Sequence, residues 1–229
     1  GNQEKPAAWE GLAYNVLKDS LANYTEKIVS EINPDIIQLG NEINPGFLLP
    51  DGDAFNNQNQ FLDLLKTAAQ TVRNTSDTTK IVIHYAGIEG AEYFYTIVKS
   101  IDFDVIGLSY YPVWHGKSLS ILSSLINNLS NTYNKEIAIA ETAYPFTLGW
   151  NDYTNNIVGL EDQLVNGYPA TEQGQLDFVS KIIEMVSSDS LGFGVSYWGG
   201  ELVAFDGPTS ENGSPWEDRK TTRPNSTHV

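Results

Sequence analysis

Short apolar runs rich in β-branched residues alternate with amphipathic stretches along this chain, and this alternation constrains the fold more than any other feature. The runs at residues 35–39, 80–85, 104–112, 135–141 and 192–198 indicate five strands. Before and between them, apolar residues recur at the three- and four-residue spacing that is typical of helices, which predicts five helices. Strands that alternate with amphipathic helices form right-handed crossovers and a parallel sheet. The predicted class is therefore α/β.

Within this class, the sequence favours a barrel over an open sheet. A doubly wound open sheet usually carries a glycine-rich phosphate loop, and the chain contains neither GxGxxG nor GxxxxGK[ST]. Eight strand–helix units typically need about 250 residues, whereas the 229 residues of this chain show five units. We predict a single barrel-type domain over residues 1–229 that is incomplete on its amino-terminal side.

The amino-acid composition excludes several classes of binding partner and site. The net charge is −16, from 29 acidic and 13 basic side chains, which disfavours nucleic acid and anionic membrane surfaces. The chain has no cysteine, so disulfides, thiolate metal sites and cysteine nucleophiles are excluded. No apolar run of about 18 residues occurs, and the amino terminus lacks the pattern of a signal peptide. Because the chain begins at Gly1 without an initiator Met, we expect a processed or recombinant start and a natural terminus further upstream.

Two glutamates stand at the ends of predicted strands. The run 35–39 has apolar residues on both sides, which predicts a strand buried on both faces. Asn41 and Glu42 follow this run after Gly40, and Glu141 ends the run 135–141. Parallel α/β folds place their chemistry at the carboxyl ends of strands. For one glutamate in such a position, a surface or helix-capping role is the more common outcome. The second glutamate changes that balance and suggests a pair.

Several segments resemble one enzyme family. QLGNEIN at residues 38–44, DVIGLSYYPVWHG at 104–116, IAETAYPFT at 139–147 and GSPWE at 213–217 occur in the order and spacing of glycoside hydrolase family 53, the endo-β-1,4-galactanases of clan A. KPAAW at 5–9 resembles the segment after that family's third strand. The resemblance spans roughly residues 5–217.

The resemblance implies a fold and an activity. The family's fold is a (β/α)8 TIM barrel, so the five strands of this chain correspond to the fourth to eighth, and the first three lie upstream of Gly1 or in a second polypeptide. Members cleave internal β-1,4-galactosidic bonds of galactan and type I arabinogalactan with retention, without an organic cofactor. The acid/base is then Glu42 and the nucleophile Glu141. The substrate class implies a secreted, cell-surface or periplasmic protein.

Retaining hydrolysis places specific demands on these residues. It needs a nucleophilic carboxylate and a proton-donating carboxylic acid about 5 to 5.5 Å apart across the glycosidic bond. Glu42 must therefore be protonated when it acts, while Glu141 stays ionised. Asn41 is expected to donate to the sugar 2-hydroxyl. Tyr110 or Tyr111 could donate to Glu141, and we favour Tyr111.

Other strand-end residues are candidates for substrate binding. On position alone, His84 is more often a packed histidine, but the family match favours a role in orienting a carboxylate or a sugar hydroxyl. Trp114, His115 and Trp198 are expected to form walls of a polysaccharide groove. A core tryptophan is the alternative, at about even odds for Trp198 and less for Trp114.

Metal binding and family departures leave further points open. No metal site is predicted: residues 51–53 and 151–156 are more simply solvated turns, although calcium stays open because some bacterial members of the family hold it in a long loop.

The chain departs from the family pattern at several positions. Members commonly read Tyr-Trp-Glu-Pro at the eighth strand, where this chain reads YWGGE at residues 197–201. The strand-2 arginine of the clan has no counterpart, and the tail after Trp216 lacks an apolar closing segment.

Two other functions compete with galactanase activity. Another clan A specificity, β-mannanase or β-glucanase, would use the same two glutamates. A non-catalytic glycan-binding protein or an inactive fragment is the alternative from a different class, suggested by the missing strands and the altered corner after Trp198.

Overall fold

The computed structural model describes residues 3–149 and 157–199. Its strands are β1 (Ile36–Gln38), β2 (Lys80–Ala86), β3 (Val105–Ser109), β4 (Glu136–Thr142) and β5 (Gly192–Tyr197). Its helices are α1 (Tyr14–Ile32), α2 (Gln58–Thr75), α3 (Ala91–Val98), α4 (Pro112–His115), α5 (Leu119–Tyr133) and α6 (Glu172–Ser187). Two 3-10 helices, Ala7–Trp9 and Glu161–Gln163, lie before α1 and after β4.

The five strands form one sheet in chain order, β1-β2-β3-β4-β5. β1 pairs with β2 in parallel, with Ile36 opposite Lys80, and β4 pairs with β5 in parallel, with Ile137 opposite Gly192. At least one helix separates each strand from the next. The predicted alternation of strands and helices is therefore confirmed, as is the parallel α/β class.

One expectation about β1 is wrong. The apolar run at residues 35–39 predicted a strand buried on both faces, yet Ile36 is 45 % exposed and Gln38 is also exposed. The reason is that β1 lies at the end of the described sheet and pairs with β2 on one side. An edge strand leaves part of its surface and one row of backbone groups uncovered.

The chain divides into two compact units. The first combines the chain up to Ala86 with Gly90–Gly107 and Leu129–Glu136. The second combines Gly87–Glu89, Leu108–Asn128 and the described chain from Ile137 onward. The prediction of a single domain stays a prediction.

In the first unit, α1 packs against α2. Helix α1 buries one residue in every four, so that one stripe faces the core: Leu17, Leu21, Thr25 and Val29. Helix α2 buries a wider stripe: Phe61, Leu64, Leu65, Ala68, Ala69 and Val72. Fully burying an aliphatic side chain stabilises a fold by about 1.5–3 kcal/mol, so these stripes hold the unit together.

In the second unit, α6 packs against β5. Thr171 caps this helix, its side chain accepting a hydrogen bond from the Gly174 N–H at 3.0 Å. The Phe178 ring stacks on Tyr144, with centroids 4.0 Å apart and an interplanar angle of 17°. Because Tyr144 lies just past the end of β4, this stack fixes the chain next to Glu141.

Candidate active site

Past the end of β1, the chain stays hydrogen-bonded to β2. The Leu39 N–H donates to the Val82 carbonyl at 3.0 Å, and the Ile43 N–H donates to the His84 carbonyl at 3.0 Å. Glu42 lies between these two anchors. The structure therefore holds Glu42 beside β2, at the carboxyl end of β1 where the sequence predicts chemistry.

Gly40 makes the turn that brings the chain from β1 to Glu42. Its φ is +74°, and a Cβ at this position would lie 2.5 Å from Cγ2 of Ile43, a fully buried and β-branched residue. We expect Gly40→Ala to lower the unfolding free energy by about 2–4 kcal/mol, because the left-handed backbone and the overpacked contact both cost energy. Thermal unfolding followed by circular dichroism measures this change.

Gly11→Ala is the matched control for that substitution. Gly11 has a similar φ of +72° but no heavy atom within 4 Å of the added Cβ. It should therefore show only the backbone part of the cost, about 1–2 kcal/mol. Equal losses in the two variants would contradict the packing role of Gly40.

Glu42 itself adopts a left-handed backbone, with φ at +50°. Such a conformation is uncommon for residues other than glycine, asparagine and aspartate, and costs about 1–2 kcal/mol. Strain of this kind persists where the surrounding structure enforces it, and it clusters at functional sites. The backbone thus marks Glu42 independently of the sequence motif.

A polar network surrounds the backbone of Asn41 and Glu42. Gln3 donates through Nε2 to the carbonyl oxygens of both residues, at 3.3 Å for Glu42. Gln38 donates through Nε2 to Asn41 Oδ1 at 3.0 Å. His84 Nδ1 lies 3.2 Å from Asn41 Oδ1 and 3.4 Å from the Glu42 amide nitrogen. Asn41 and His84 were predicted for this site from the sequence. Gln3 and Gln38 were not, because neither belongs to a recognisable motif.

His84 orients this corner as a neutral ring. The side chain is 1 % exposed, and its burial lowers the pKa to about 4. The negative charge of Glu42 acts in the opposite direction and raises the pKa, but its effect is smaller. At neutral pH the imidazole therefore carries one N–H. Nδ1 can accept from the Glu42 N–H or donate to Asn41 Oδ1. Either contact helps to position Asn41 and Glu42 without placing a positive charge beside them.

Glu141 stands near the end of β4 with a hydroxyl on its carboxylate. Tyr111 Oη donates to Glu141 Oε2 at 2.9 Å. The backbone around it is also fixed, since the Tyr110 N–H donates to the Glu141 carbonyl at 2.8 Å and Thr142 Oγ1 donates to the Tyr110 carbonyl at 2.7 Å. A hydrogen bond to the charged form favours ionisation. These hydrogen bonds fix the orientation of the Glu141 carboxylate and of the backbone around it.

Tyr110 takes a different position from the one that the sequence suggested. Its side chain is fully buried, its ring packs near Phe178, and its hydroxyl donates to the Gly116 carbonyl at 2.8 Å. Of the two tyrosines that could donate to Glu141, Tyr111 places its hydroxyl on the carboxylate, whereas the Tyr110 hydroxyl is used by the Gly116 carbonyl. The Tyr110 side chain thus anchors the loop that follows Tyr111.

We expect Tyr111→Phe to lower kcat about 10- to 100-fold in a reaction that uses the Glu141 carboxylate, because hydrogen bonds to charged groups are worth about 1.5–3 kcal/mol. Without the donor, the charged form of Glu141 loses a stabilising hydrogen bond, so the acidic limb of the pH–rate profile should move to higher pH. Steady-state kinetics across pH measure both effects.

Tyr110→Phe is the control, since it removes a hydroxyl of the neighbouring residue that does not contact Glu141 in the described structure. It should leave the position of the acidic limb unchanged. An unchanged pH profile in Tyr111→Phe would contradict the positioning role.

An aromatic group flanks Glu141 on the short helix α4. Trp114 is 58 % exposed, and its indole packs edge-on against Tyr111 with centroids 5.2 Å apart. His115 Nδ1 accepts from the Tyr111 N–H at 3.0 Å. Exposed indole faces suit sugar rings. The structure thus brings together three of the predicted residues, with Trp114 offering the accessible surface.

Trp198 lies past β5, where its N–H donates to the Thr142 carbonyl at 2.9 Å. Its side chain is half-buried, which places it between the two alternatives of core and cleft wall. Gly200 and Glu201, which depart from the family's usual corner, lie outside the described residues, as does the GSPWE segment.

A second hydrogen-bond network, which no sequence motif indicates, braces the chain beyond β4. Gln175 of α6 donates to Tyr197 Oη at 3.1 Å and to the Tyr144 carbonyl. Tyr197 Oη donates to the same carbonyl at 3.0 Å. Tyr144 Oη in turn donates to the Tyr168 carbonyl at 2.7 Å. These bonds join α6, β5 and the long loop after β4, and thereby hold Glu141 in place.

Of the two segments that the sequence left open for calcium, residues 51–53 have described partners. Asp51 pairs with Lys5. Asp53 Oδ1 accepts from the backbone N–H groups of Phe55 and Asn56, both at 2.8 Å. Residues 151–156 lie outside the described residues, and calcium stays a prediction.

Each unit thus presents one strand-end glutamate: Glu42 next to the Asn41 amide in the first unit, and Glu141 with the Tyr111 hydroxyl on its carboxylate in the second. In the comparison with known families, the model of glycosyl hydrolase family 53 matches residues 1–228. The chain belongs to this family.

Relatives in the family are named as galactanases. The chain is 35 % identical over 216 residues to the arabinogalactan endo-β-1,4-galactanase of Cellvibrio japonicus, covering 90 % of this chain and 56 % of the relative. It is 31 % identical to the endo-β-1,4-galactanase of Bacillus subtilis, covering 86 % and 47 %. The chain thus spans about half the length of these curated relatives.

Solved structures confirm the fold. The catalytic domain of a family 53 enzyme from Ignisphaera aggregans matches with a TM-score of 0.84 and 36 % identity, covering all of this chain and 67 % of that one. Fungal β-1,4-galactanases match with a TM-score of 0.73 and 31 % identity, covering 87 % and 63 %. The prediction of a partial (β/α)8 barrel is therefore confirmed.

Proposed function

We propose that this chain is the catalytic part of a retaining endo-β-1,4-galactanase that hydrolyses internal bonds of galactan and type I arabinogalactan. Family membership supports the reaction class, and the names of the relatives support the substrate. The observation that carries the mechanism is the Tyr111 hydroxyl on the Glu141 carboxylate at 2.9 Å. Such a donor keeps a carboxylate ionised, which suits a nucleophile and not an acid.

In the first step, Glu141 attacks the anomeric carbon while Glu42, as a carboxylic acid, gives its proton to the leaving glycosidic oxygen. The carbon–oxygen bond to the leaving chain breaks, and an ester forms between the sugar and Glu141. Asn41, exposed and braced by Gln38, donates to the 2-hydroxyl. This bond strengthens in the transition state, where it stabilises the developing charge.

In the second step, Glu42 acts as a base. It takes a proton from water, the water oxygen bonds to the anomeric carbon, and the ester to Glu141 breaks. Two inversions give net retention. Trp114 supplies an apolar face on which a sugar of the bound chain can stack, and His115 supports the adjoining Tyr111 backbone.

The substrate is tested by comparing reducing-sugar release from galactan, mannan and cellulose. We expect cleavage of galactan and little release from the other two. Preferred cleavage of mannan or cellulose would favour another clan A specificity, because that machinery is shared. Retention of the protein by galactan in a native gel without any product would favour a non-catalytic binding protein.

We propose in addition that a further strand, from the same gene product or from a second polypeptide, pairs with the uncovered side of β1. The 45 % exposure of Ile36 on this edge supports it, since uncovered apolar edges favour pairing. Size exclusion and circular dichroism test the idea. A monodisperse, cooperatively melting monomer of these 229 residues that hydrolyses galactan alone would contradict it.

We also propose secretion or display outside the cytoplasm, because a polysaccharide substrate lies outside the cell. Among residues 3–149 and 157–199, no helix is long and apolar enough to cross a bilayer. Fractionation of the native host, with activity assayed in the medium and in the cell extract, tests the location.

A further inference from the structure

An aromatic pocket lies in the first unit, on a part of the surface that the proposed reaction does not use. The cavity measures about 170 Å³. Its walls come from the loop after β1, from β2 and from α3: Asn44, Ala54, Phe55, Tyr85, Gly90, Tyr93, Phe94 and Ile97. We refer to these residues as the aromatic pocket.

Two rings at this pocket face solvent. Phe55 is 72 % exposed and Tyr93 is 66 % exposed. Exposed aromatic side chains at the rim of a cavity leave apolar faces in water, and such faces mark sites of interaction when they cluster. Packing within the unit therefore does not explain why these two aromatic side chains are exposed.

The loop that carries Phe55 is held rigidly. Asp53 Oδ1 accepts from the N–H groups of Phe55 and Asn56, and Asp53 Oδ2 accepts from Asn56 Nδ2 at 3.0 Å. The Ala54 N–H donates to the Pro45 carbonyl at 2.9 Å. A ring displayed on a fixed backbone loses little conformational entropy on binding. Phe55 is thus pre-organised as a contact surface.

The floor of the pocket is equally fixed. Tyr85 and Phe94 are buried and lie against each other with centroids 5.0 Å apart. Asn44 on the wall has its amide oriented by two hydrogen bonds with Ala86, at 2.8 and 2.7 Å. The pocket therefore combines flat apolar surfaces with one oriented polar group, which is the usual make-up of a small-ligand site.

The pocket is distinct from the corner that holds Glu42. Tyr85 lines the pocket, while its neighbour His84 contacts Asn41 and the Glu42 backbone. Successive residues of a strand point to opposite faces of the sheet. A molecule in the pocket would consequently not occupy the position of the bond that Glu42 acts on.

The chemistry of the lining points to an uncharged ligand. None of the eight lining residues carries a charge, in a chain whose net charge of −16 repels anions. The cavity is smaller than the roughly 300 Å³ at which pockets for drug-sized ligands begin, and stable protein partners need about 800 Å² on each side. One ring of a neutral sugar fits these limits, and a protein surface does not.

We propose that the aromatic pocket is a second binding site for the polysaccharide, which takes one pyranose ring of a neutral β-galactan chain away from the cleaved bond. The inference rests on the proposed function, since the polymer that reaches this surface is the substrate itself. Phe55 and Tyr93 stack on the ring, and Asn44 contacts a hydroxyl. The site keeps the enzyme on the polymer between cleavage events.

The test uses the complete enzyme, with the further strand that we propose beside β1, and compares Phe55→Ala, Tyr93→Ala and the double variant with the unmodified protein. Galactan binding is measured by retardation in native gels that contain the polymer, and kcat/KM is measured on a short galacto-oligosaccharide. We expect each single variant to weaken polymer binding about three- to tenfold, and the double variant more, because each removes one stacking face. The kcat/KM on the oligosaccharide should stay within about twofold.

Two further variants serve as controls. Phe55→Trp keeps a flat face and should retain binding within about twofold. Tyr24→Ala removes an aromatic side chain of similar exposure, 56 %, from α1 outside this pocket, and should leave polymer binding unchanged.

Unchanged polymer binding in the double variant would show that the aromatic pocket is not a binding site. Galactan hydrolysis by the unmodified protein would in that case still support the proposed function. A parallel loss of oligosaccharide hydrolysis would also overturn it, because the residues would then belong to the cleft or to the fold. If the unmodified protein neither bound nor cleaved galactan, both proposals would fail.

Discussion

In the complete enzyme, Glu141→Ala is expected to lower galactan hydrolysis by several powers of ten, at least about 10³-fold, while binding of the polymer survives. The substitution removes the group that forms the covalent bond but leaves the exposed Trp114 surface in place. Steady-state kinetics measure the loss, and native gels with galactan measure the binding. Added azide should restore turnover with an inverted galactosyl azide as product, since azide takes the place of the nucleophile.

Glu42→Ala is expected to lower the rate about 10²- to 10⁴-fold, the usual contribution of general acid–base catalysis. Here azide should act in the second step, on the sugar–Glu141 ester, and give a galactosyl azide of retained configuration. The stereochemistry of the two azide products thus assigns the roles separately.

Glu136→Gln is the matched control, because Glu136 begins the same strand and pairs with Lys80 at the surface. A surface ion pair contributes about 0–1 kcal/mol, so this variant should keep near-normal turnover. Near-normal turnover in both Glu42→Ala and Glu141→Ala would show that the assignment is wrong.

The second large effect concerns stability at low pH. Burial lowers the pKa of His84 to about 4 in the folded protein, whereas an unfolded histidine titrates near 6.5. Between these values the unfolded chain binds the proton and the folded chain does not. Stability from this group is therefore complete above about pH 6.5 and is lost as the pH falls toward 4, by up to about 3 kcal/mol.

His84→Gln should remove this dependence, because glutamine keeps a polar side chain without a titrating group in this range. We expect the unfolding free energy of the unmodified protein to fall more steeply from pH 6.5 to 4 than that of the variant, with denaturant titrations at each pH as the measurement. Parallel curves for the two proteins would contradict the assignment of a buried neutral ring.

The long helices and the strands were predictable from the sequence because each repeats its pattern over several residues. The predicted strand at 80–85 is β2 (Lys80–Ala86), and the helix expected around 176–186 is α6 (Glu172–Ser187). Helix α4 (Pro112–His115) was not predicted, since four residues are too few for a helical period to appear. Its proline at the first position is compatible with a helix start, but also with a turn.

Burial was harder to predict than element type. Residues 35–39 read as a doubly buried strand, yet β1 is an edge strand in the described sheet, because pairing depends on neighbours far away in sequence. The orientation of the adjacent Tyr110 and Tyr111 was equally hard to predict, because the sequence allowed either hydroxyl to contact Glu141. In the structure, the Tyr111 hydroxyl reaches the carboxylate and the Tyr110 hydroxyl reaches the Gly116 carbonyl.

The candidate site could be located in sequence through its motifs, but its supporting residues could not. Asn41, Glu42 and Glu141 stand out because two apolar runs lead to a glutamate at their carboxyl ends, which suggests a pair. Gln3 and Gln175 are ordinary polar residues whose hydrogen bonds arise from tertiary packing. No local pattern distinguishes them from solvated glutamines.

The most direct test of the central proposal is the configuration of the product of galactan hydrolysis, followed by proton nuclear magnetic resonance in the first minutes of reaction. A double displacement by Glu141 and Glu42 predicts that the β-anomer of the new reducing end appears first and then equilibrates slowly to the α-anomer. Initial appearance of the α-anomer would contradict the proposed mechanism.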